Sequence, residues 1–600
     1  MKNKMMTHMI WLCSFALIGQ HSFGMSEAQF ESTLRAALKR SRLNPAEKAQ
    51  HVLNRLAYGP NPSQPVNLLK YKTVRGQQVY DVEATDEAII NYITDSVKPG
   101  MGLTNDVQAK AEGLFHYLTL NADEIRARYK VHRDAVMAAK DRLDNPQPGD
   151  DLRRLRAELE STTRDLVLFR NTLIESLAAE QAVHALLENK PFNMILFDFW
   201  FNHFNTSAEK SWLHLKDYIE LIRANMYGTF SDFVTAVAKS PQMLIYLDNV
   251  RNKKPGYTVT DKNGITHTYG PNENYGRELI ELHTTGRVES KGYTLKDVQQ
   301  ASLAMTGWTY SGKTNAFVFV AREHDTTPKT VMGHSLPENG GQAEGEELIR
   351  FLSNRWNTAM NISKKLILTF AFDRTGDEKI QALFDGLRNK MKDDFLASRG
   401  DLKSLYFTLL ASEEFWSSTA YRAKIGRPFD QLVRLYRMSG ISLTTIAATD
   451  IKAVNSRDGL LDRSKLLGQH LLKCTPPTGY PANSGSWINT GSVISMVKTG
   501  FEVAAYRGNP NQDVYGQQTF SEIDGATISF RNPGPITEHI FRLKHIEDRY
   551  GLGVELKNIP ATFSSNKWDR DWHPESRSYS YSPITTTLGF LLGTGDFYRK

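Results

Sequence analysis

LRRLRAELESTTRDLVLFRNTL, residues 152–173, is the stretch that decides the fold class. Leu152, Leu155, Leu159, Thr162, Leu166, Phe169 and Leu173 alternate spacings of three and four, the seam of a helix that packs lengthwise on another. A preceding helix is predicted over about 106–142, and Asp144-Asn145-Pro146-Gln147-Pro148-Gly149 is turn chemistry between the two. The simplest product is a charged antiparallel helical hairpin over 104–190, whose stripe is a packing device before it is a partner site. Toward the N-terminus, apolar spacings predict one helix over 26–58, broken by Tyr58-Gly59-Pro60-Asn61-Pro62. Toward the C-terminus, amphipathic helices are predicted over about 345–440. Two β elements interrupt the pattern. Tyr257, Val259, Ile265, His267 and Tyr269 flank Lys262-Asn263-Gly264, a hairpin signal, and Ala316–Ala321 reads as a buried strand. The stretch 508–575 is rich in Asn, Gly, Ser and Pro, and no internal repeat is visible.

The expected fold is therefore mainly α: a multi-helix globular core with a long antiparallel helical hairpin insertion and a few short β-hairpins. The divisions are 1–24 as a leader, 25–103 as the N-terminal part of the core and 104–190 as the hairpin. Residues 191–507 form the core carrying the polar motifs, and 508–600 a less regular C-terminal part ending in a helix.

Composition agrees with a folded chain. The 600 residues are 40% apolar and 23% charged, with a mean hydropathy of −0.43, which excludes disordered, collagen-like and multi-span membrane classes. Lys2 and Lys4 precede an apolar run from Met9 to Gly19, and Ser22 and Gly24 supply small residues before a cut at Met25. This is the layout of a secretory signal peptide, and the run is too short for a spanning helix of ~20 residues. An uncleaved anchor is the alternative. Export places the protein in the periplasm, on the cell surface or outside the cell. Losing residues 1–24, with two lysines and no acid, lowers the net charge of +7 by two, to +5. It also removes Cys13 and leaves Cys474 alone, so no internal disulfide can form. No basic run or recognition signature points to nucleic acid.

Polar groups concentrate between 198 and 333. Asn202 and His203 sit inside an aromatic run from Phe199 to Phe204. In the helical stretch from Asn272 to His283, Asn274, Glu278 and Glu281 fall at i, i+4 and i+7 and share one face of a regular helix, with Arg277 within reach of Glu273 and Glu281. Thr284-Thr285-Gly286 stops that helix. A third cluster is Arg322-Glu323-His324-Asp325 with Lys329 and His334. The chain has no His-Glu-x-x-His, Gly-x-Ser-x-Gly, phosphate-binding glycine loop or Cys-x-x-Cys, so familiar zinc peptidases, serine hydrolases and nucleotide enzymes lose their basis.

The order of these segments resembles the bacterial family known as domain of unknown function 1800. It is carried by His51–Pro60, Trp200–Phe204, Ser240–Asp248, Asn272–Gly286, Gly292-Tyr293-Thr294 and Leu303–Trp308. His324-Asp325 with Lys329, Arg427-Pro428-Phe429, Gly468-Gln469, Pro476-Pro477 and Ser486–Asn489 complete it, over roughly 50–500. The resemblance implies an exported, mainly helical protein and supplies no activity. The helical hairpin and the Asn-Gly hairpin look like additions to the family core. The family pattern often carries Phe at the position of His283, which weakens that residue as an essential group.

Three functional expectations arise. The first is a hydrolase of an envelope or extracellular glycan, with Glu281 as general acid and Glu278 or Asp325 as second carboxylate. Asn202, Asn274, Arg277, Trp308 and Lys329 would bind substrate, and Trp200, Tyr275 and Trp308 would stack on sugar rings. The second is a metal-dependent hydrolase or oxidase holding a divalent metal through His203 and His324 with Glu278 and Glu281. The third is a non-enzymatic envelope or surface assembly protein, its polar cluster a buried structural network.

Overall fold

The structure, a computed structural model, describes residues 24–59, 68, 70–74, 77–81, 85–100, 103–261, 263–287, 292–438, 459–489 and most of 491–499. The expectations for the leader up to Phe23 and for 508–600 lie outside these residues.

Local capping divides the N-terminal region differently from the apolar pattern. Helix α1 (Glu27–Arg40) starts at a Ser26/Gln29 capping box, and α2 (Pro45–Leu56) at a second box formed by Asn44 and Glu47. The predicted single helix is thus two. A residue before proline is pushed out of the α region, and Asn44 is extended at φ −70°, ψ 166°. A hairpin of β1 (Lys70–Val74) and β2 (Gln77–Asp81) and helix α3 (Asp86–Ser96) follow.

The arm begins with α4 (Asn105–Leu114), and Asn121 with Glu124 caps a fresh start for α5 (Ala122–Asp144). The helix predicted over 106–142 is therefore broken in its first third. Its partner α6 (Leu152–Leu187) runs 36 residues, about 54 Å at 1.5 Å per residue. Leu155, Phe169 and Leu173 of the seam are buried against α5 and its surroundings, whereas Leu152 at the tip is exposed. From Leu173 to Leu187 α6 is buried almost all round except at Glu175. The same helix is an arm at its start and a core element at its end.

Short helices follow: α7 (Phe192–His203), which packs on α6, then α8 (Ala208–Ser211), α9 (Leu215–Asn225), α10 (Phe230–Lys239) and α11 (Pro241–Tyr246). The Asn-Gly hairpin forms as β3 (Tyr257–Thr260) and β4 (Thr266–Tyr269), antiparallel and exposed. Helix α12 (Glu273–Glu278) passes into a π turn (Leu279–His283), and α13 (Leu295–Ala304) packs across it. Gly276 permits that crossing, because a Cβ there would lie 2.3 Å from Ser302 Oγ. Two more hairpins follow, β5 (Trp308–Tyr310) with β6 (Phe317–Phe319) and β7 (Lys329–Val331) with β8 (His334–Leu336). The strand expected to be buried, β6, is half-buried along its length. Helices α14 (Gln342–Ser353), α15 (Trp356–Phe370), α16 (Glu378–Ala397), α17 (Leu402–Leu410), α18 (Pro428–Met438) and α19 (Leu460–Leu466) finish the described chain.

The fold is mainly α with four two-stranded antiparallel hairpins among the described residues. One apolar cluster links Phe30 to Met496, centred on buried Trp200, Trp308 and Trp416. The Trp200 indole N–H donates to the Tyr406 hydroxyl at 2.6 Å, which donates in turn to the Met226 carbonyl. Among the described residues no helix is long and apolar enough to cross a membrane.

Candidate functional site

The Glu278–Gly286 segment departs from a regular helix, and that departure organises the site. An i→i+5 turn takes an extra residue and leaves carbonyls displaced from the usual ladder. The Thr284 hydroxyl donates to the Leu279 carbonyl (2.6 Å) and the Thr285 hydroxyl to the Ile280 carbonyl (2.8 Å). The Gly286 N–H adds a bond to Ile280, and the Asn361 amide of α15 donates to the Thr284 carbonyl. The Thr-Thr-Gly stop is therefore a set of side-chain caps on a π turn. The shared face expected for Asn274, Glu278 and Glu281 assumed 3.6 residues per turn throughout, whereas the chain enters a π turn between Glu278 and Glu281. Asn274 instead donates to the Leu247 carbonyl at the end of α11.

Glu281 is buried and fully engaged. It accepts from the Tyr293 hydroxyl and from Arg287 Nε, both at 2.6 Å, and Arg277 lies 3.6 Å away while also pairing with Glu273 at 3.0 Å. Burial alone would raise this carboxyl, but the Tyr293 hydroxyl and the Arg287 and Arg277 guanidiniums outweigh it and hold it below the usual carboxylate range. Glu278 goes the other way, raised by burial and then by the negative charge of Glu281. The expected roles are thus exchanged: Glu281 is the ionised partner, and Glu278 is the carboxyl that keeps a proton to higher pH.

His203 faces the other side of the turn. Its Nε2 donates to the His283 carbonyl (3.1 Å), so Nδ1 carries the lone pair, and Lys365 Nζ donates to it at 2.9 Å. Lys365 also reaches the Leu282 carbonyl. Burial, then Lys365, depresses His203 well below the ordinary imidazole value and keeps the ring neutral. The ring lies on a cavity of about 250 Å³ between α7, α15, the start of α18 and residues 478–482. Four cationic side chains line it, Lys364, Lys365, Lys424 and Arg427, against one carboxylate, Asp430. Lys424 pairs with Asp373, and Arg427 with Asp198. Asn202 clamps the far wall: its Oδ1 accepts from the Tyr480 N–H (2.7 Å) and its Nδ2 donates to the Tyr480 carbonyl (2.9 Å).

The third cluster is separate and closed. Lys329 Nζ lies 2.7 Å from Glu344 Oε1 and 3.3 Å from Asp325 Oδ1, and donates to the Asp325 and Thr327 carbonyls. His324 Nδ1 donates to the Thr306 carbonyl, and its Nε2 lies 3.3 Å from Glu344 Oε2. The Lys329 and Glu344 side chains have no exposure, which leaves Lys329 no surface for a substrate, and the Asp325 carboxylate is engaged by Lys329 and Thr327. Trp200, Tyr275 and Trp308 are fully buried and cannot stack on a sugar. The metal set does not assemble either. All four ring nitrogens of His203 and His324 face protein partners, both oxygens of Glu281 are engaged, and the described residues hold no group of three His, Cys, Asp or Glu side chains suited to a metal.

Lys364, Lys365, Lys424, Arg427, Arg287 and Glu344 were not legible as site residues. The available signal was Lys364-Lys365 as the charged pair of an otherwise uncharged helix. His283 has a plainer role: its ring packs on Phe204 and Tyr275, an aromatic slot that suits the Phe of the family pattern.

Buried neutral histidines make stability depend on pH. Burial lowers His283 to about 3, and His214 and His470 each to about 4, with Lys365, Arg126 and Lys473 as the next contributors. In the unfolded chain they titrate near 6.5. Their contribution is complete above that pH and is lost as pH falls toward 4 and 3, because only the unfolded chain takes up the proton. The fully buried His283 costs about 1.4 kcal/mol per pH unit in that window, and the half-exposed His470 less because solvent screens its charge. Urea midpoints at pH 7 and pH 5 are expected to fall with pH, and equal midpoints would contradict the assignment.

No curated protein and no solved structure matches the chain. A family model described as protein of unknown function (DUF1800) matches residues 51–562, and with most of its length covered the chain belongs to that family.

Proposed function

We propose that this is an exported protein that works in the bacterial envelope or outside the cell and binds a carboxylate- or phosphate-bearing ligand, such as an acidic polysaccharide, in the cavity beside His203. The observation that carries this reading is the lining itself, in which Lys364 and Lys365 stand beside the acid-paired Lys424 and Arg427 around one opening. Lys365 is oriented by His203 and the Leu282 carbonyl. Such a wall satisfies anionic oxygens by charge-assisted hydrogen bonds, each worth roughly 1.5–3 kcal/mol. Calorimetric titration with acidic and neutral oligosaccharides, and with inorganic phosphate, tests it. Acidic ligands are expected to bind and neutral ones not, and the paired change Lys364→Met with Lys365→Met weakens binding at least about tenfold per lysine. Equal binding by the variant would sink the reading.

A second reading, glycan hydrolysis, is favoured by the divergence of Glu278 and Glu281. Two neighbouring carboxyls pushed apart in protonation suit an acid paired with an ionised partner. Glu278 would donate the proton, and Glu281, held by Arg287 and Tyr293, would stabilise positive charge. Glu278→Gln is then expected to abolish fragment release from peptidoglycan or acidic polysaccharide while leaving the fold intact. Absence of release by the folded wild-type protein rules this chemistry out.

A further inference from the structure

The predicted leader junction lies against the part-buried carboxyl of Asp394, which has no counter-ion among the described residues. The Met25 N–H donates to Ser404 Oγ at 2.6 Å, and the Ser404 hydroxyl donates to Asp394 Oδ1 at 2.7 Å. Asp394 is on α16 and Ser404 on α17. The second oxygen, Asp394 Oδ2, is buried and accepts no hydrogen bond. The groups facing the carboxyl are Ser404, Thr408, the Met25 N–H and the like charge of Asp401. Of the basic residues near it in sequence, Lys390 pairs with Glu414, Lys392 with Asp393 and Lys403 with Glu27, and Arg399 makes no ion pair with Asp394. Burial raises the Asp394 carboxyl, as expected where no cation compensates it. The Met25 side chain packs on the core, so the chain is anchored at this point. Gly24 passes tightly: a Cβ there would stand 2.6 Å from Ser404 Oγ and 2.9 Å from Ser398 Cβ.

We propose that hydrolysis of the Gly24–Met25 peptide bond turns this contact into a part-buried ion pair, in which the new Met25 α-ammonium is held by Asp394 and Ser404. Water adds across the bond under an export peptidase. Gly24 departs with the carboxylate, and the Met25 nitrogen takes up protons to become a cation. The nitrogen already sits at Ser404, so no rearrangement of α16 or α17 is needed. Before cleavage the fold carries a part-buried carboxyl with no cation partner among the described residues; after it the carboxyl is matched. Maturation thus stabilises the folded state, and the N-terminus becomes a lock. This rests on the export reading under Proposed function.

The test compares the full chain with a chain whose first residue is Met25, generated by a defined proteolytic cut. In the Met25 chain, the α-amine pKa, followed by the pH dependence of its reductive methylation, is expected to rise by about one unit or more above its ordinary ~7.7–8.0. Asp394→Asn is expected to return it to that range. The same substitution should leave unchanged or raise the thermal midpoint of the full chain and lower that of the Met25 chain. A purely structural aspartate would shift both in the same direction, and that result, or an ordinary α-amine pKa in the Met25 chain, overturns the lock. Should Asp394→Asn fail to fold, Ser404→Ala is expected to give a smaller shift of the α-amine pKa in the same direction, and no shift overturns the proposal. N-terminal sequencing of the exported protein is separate: a first residue other than Met25 overturns the cleavage step, while a retained leader on exported protein overturns the export reading itself.

Discussion

Lys329→Met is expected to cost about 3–5 kcal/mol, the largest loss from any single substitution considered for this protein. The ammonium is enclosed, bridges Glu344 and Asp325, and caps the carbonyls of Asp325 and Thr327. Methionine preserves much of the volume, so the loss comes from charge. Glu344, with no exposure, is left with His324 as its remaining side-chain partner. Removing one member of a buried ionic set is far worse than removing all of it, because the survivor has no water to turn to. The combined change Lys329→Met with Glu344→Gln is therefore expected to recover part of the loss. Urea unfolding of the two variants checks this; a double variant less stable than Lys329→Met would show that the carboxylate is not the source of the damage.

Gly479→Ala is expected to give the largest effect on the cavity. Gly479 has φ +67°, and a Cβ there would lie 2.4 Å from the Asn202 carbonyl oxygen and 2.6 Å from its Oδ1. Alanine meets two penalties, the left-handed conformation and a clash with the residue that clamps Tyr480. The loop must move off α7 and give up both Asn202–Tyr480 hydrogen bonds, at roughly 2–4 kcal/mol of stability. Thr478, Tyr480, Pro481 and Ala482 move with it, and they form one wall of the cavity. Affinity for an acidic ligand is expected to fall on the order of tenfold or more, about 1.4 kcal/mol. Unchanged affinity in the folded variant would mean that residues 478–482 take no part in binding.

Much of the architecture was legible because its causes are local. The seam of α6, the Asn-Gly hairpin and the turn at 144–149 all rest on neighbours a few residues apart. The errors at Asn44 and Asn121 had the same origin: capping boxes that end one helix and begin the next within an unbroken apolar pattern. The site was harder. Asn202 and His203 are adjacent in sequence, yet they meet different partners, Tyr480 and Lys365. Trp308 and Lys329 read as substrate-binding groups, because nothing in their sequence neighbourhood distinguishes a buried lysine or tryptophan from an exposed one. Even the family motif near the start is long-range in its purpose: Asn54 accepts from Arg434 across 380 residues of sequence.

The sequence by itself determined the helical class, the arm, the hairpin at 257–269 and the family. These depend on periodicity, caps and turns, and on the order of short motifs. Tertiary structure alone decided that Glu281 is clamped and ionised, that His203 shares a basic cavity with Lys365, and that His324 belongs to a closed network. The physical reason is reach. Helical periodicity acts over four residues, whereas the Lys365–His203 contact spans 162 and the Asn202–Tyr480 clamp 278. Whether a polar group is an acid, a clamp or an anion site depends on the partner and dielectric it meets there.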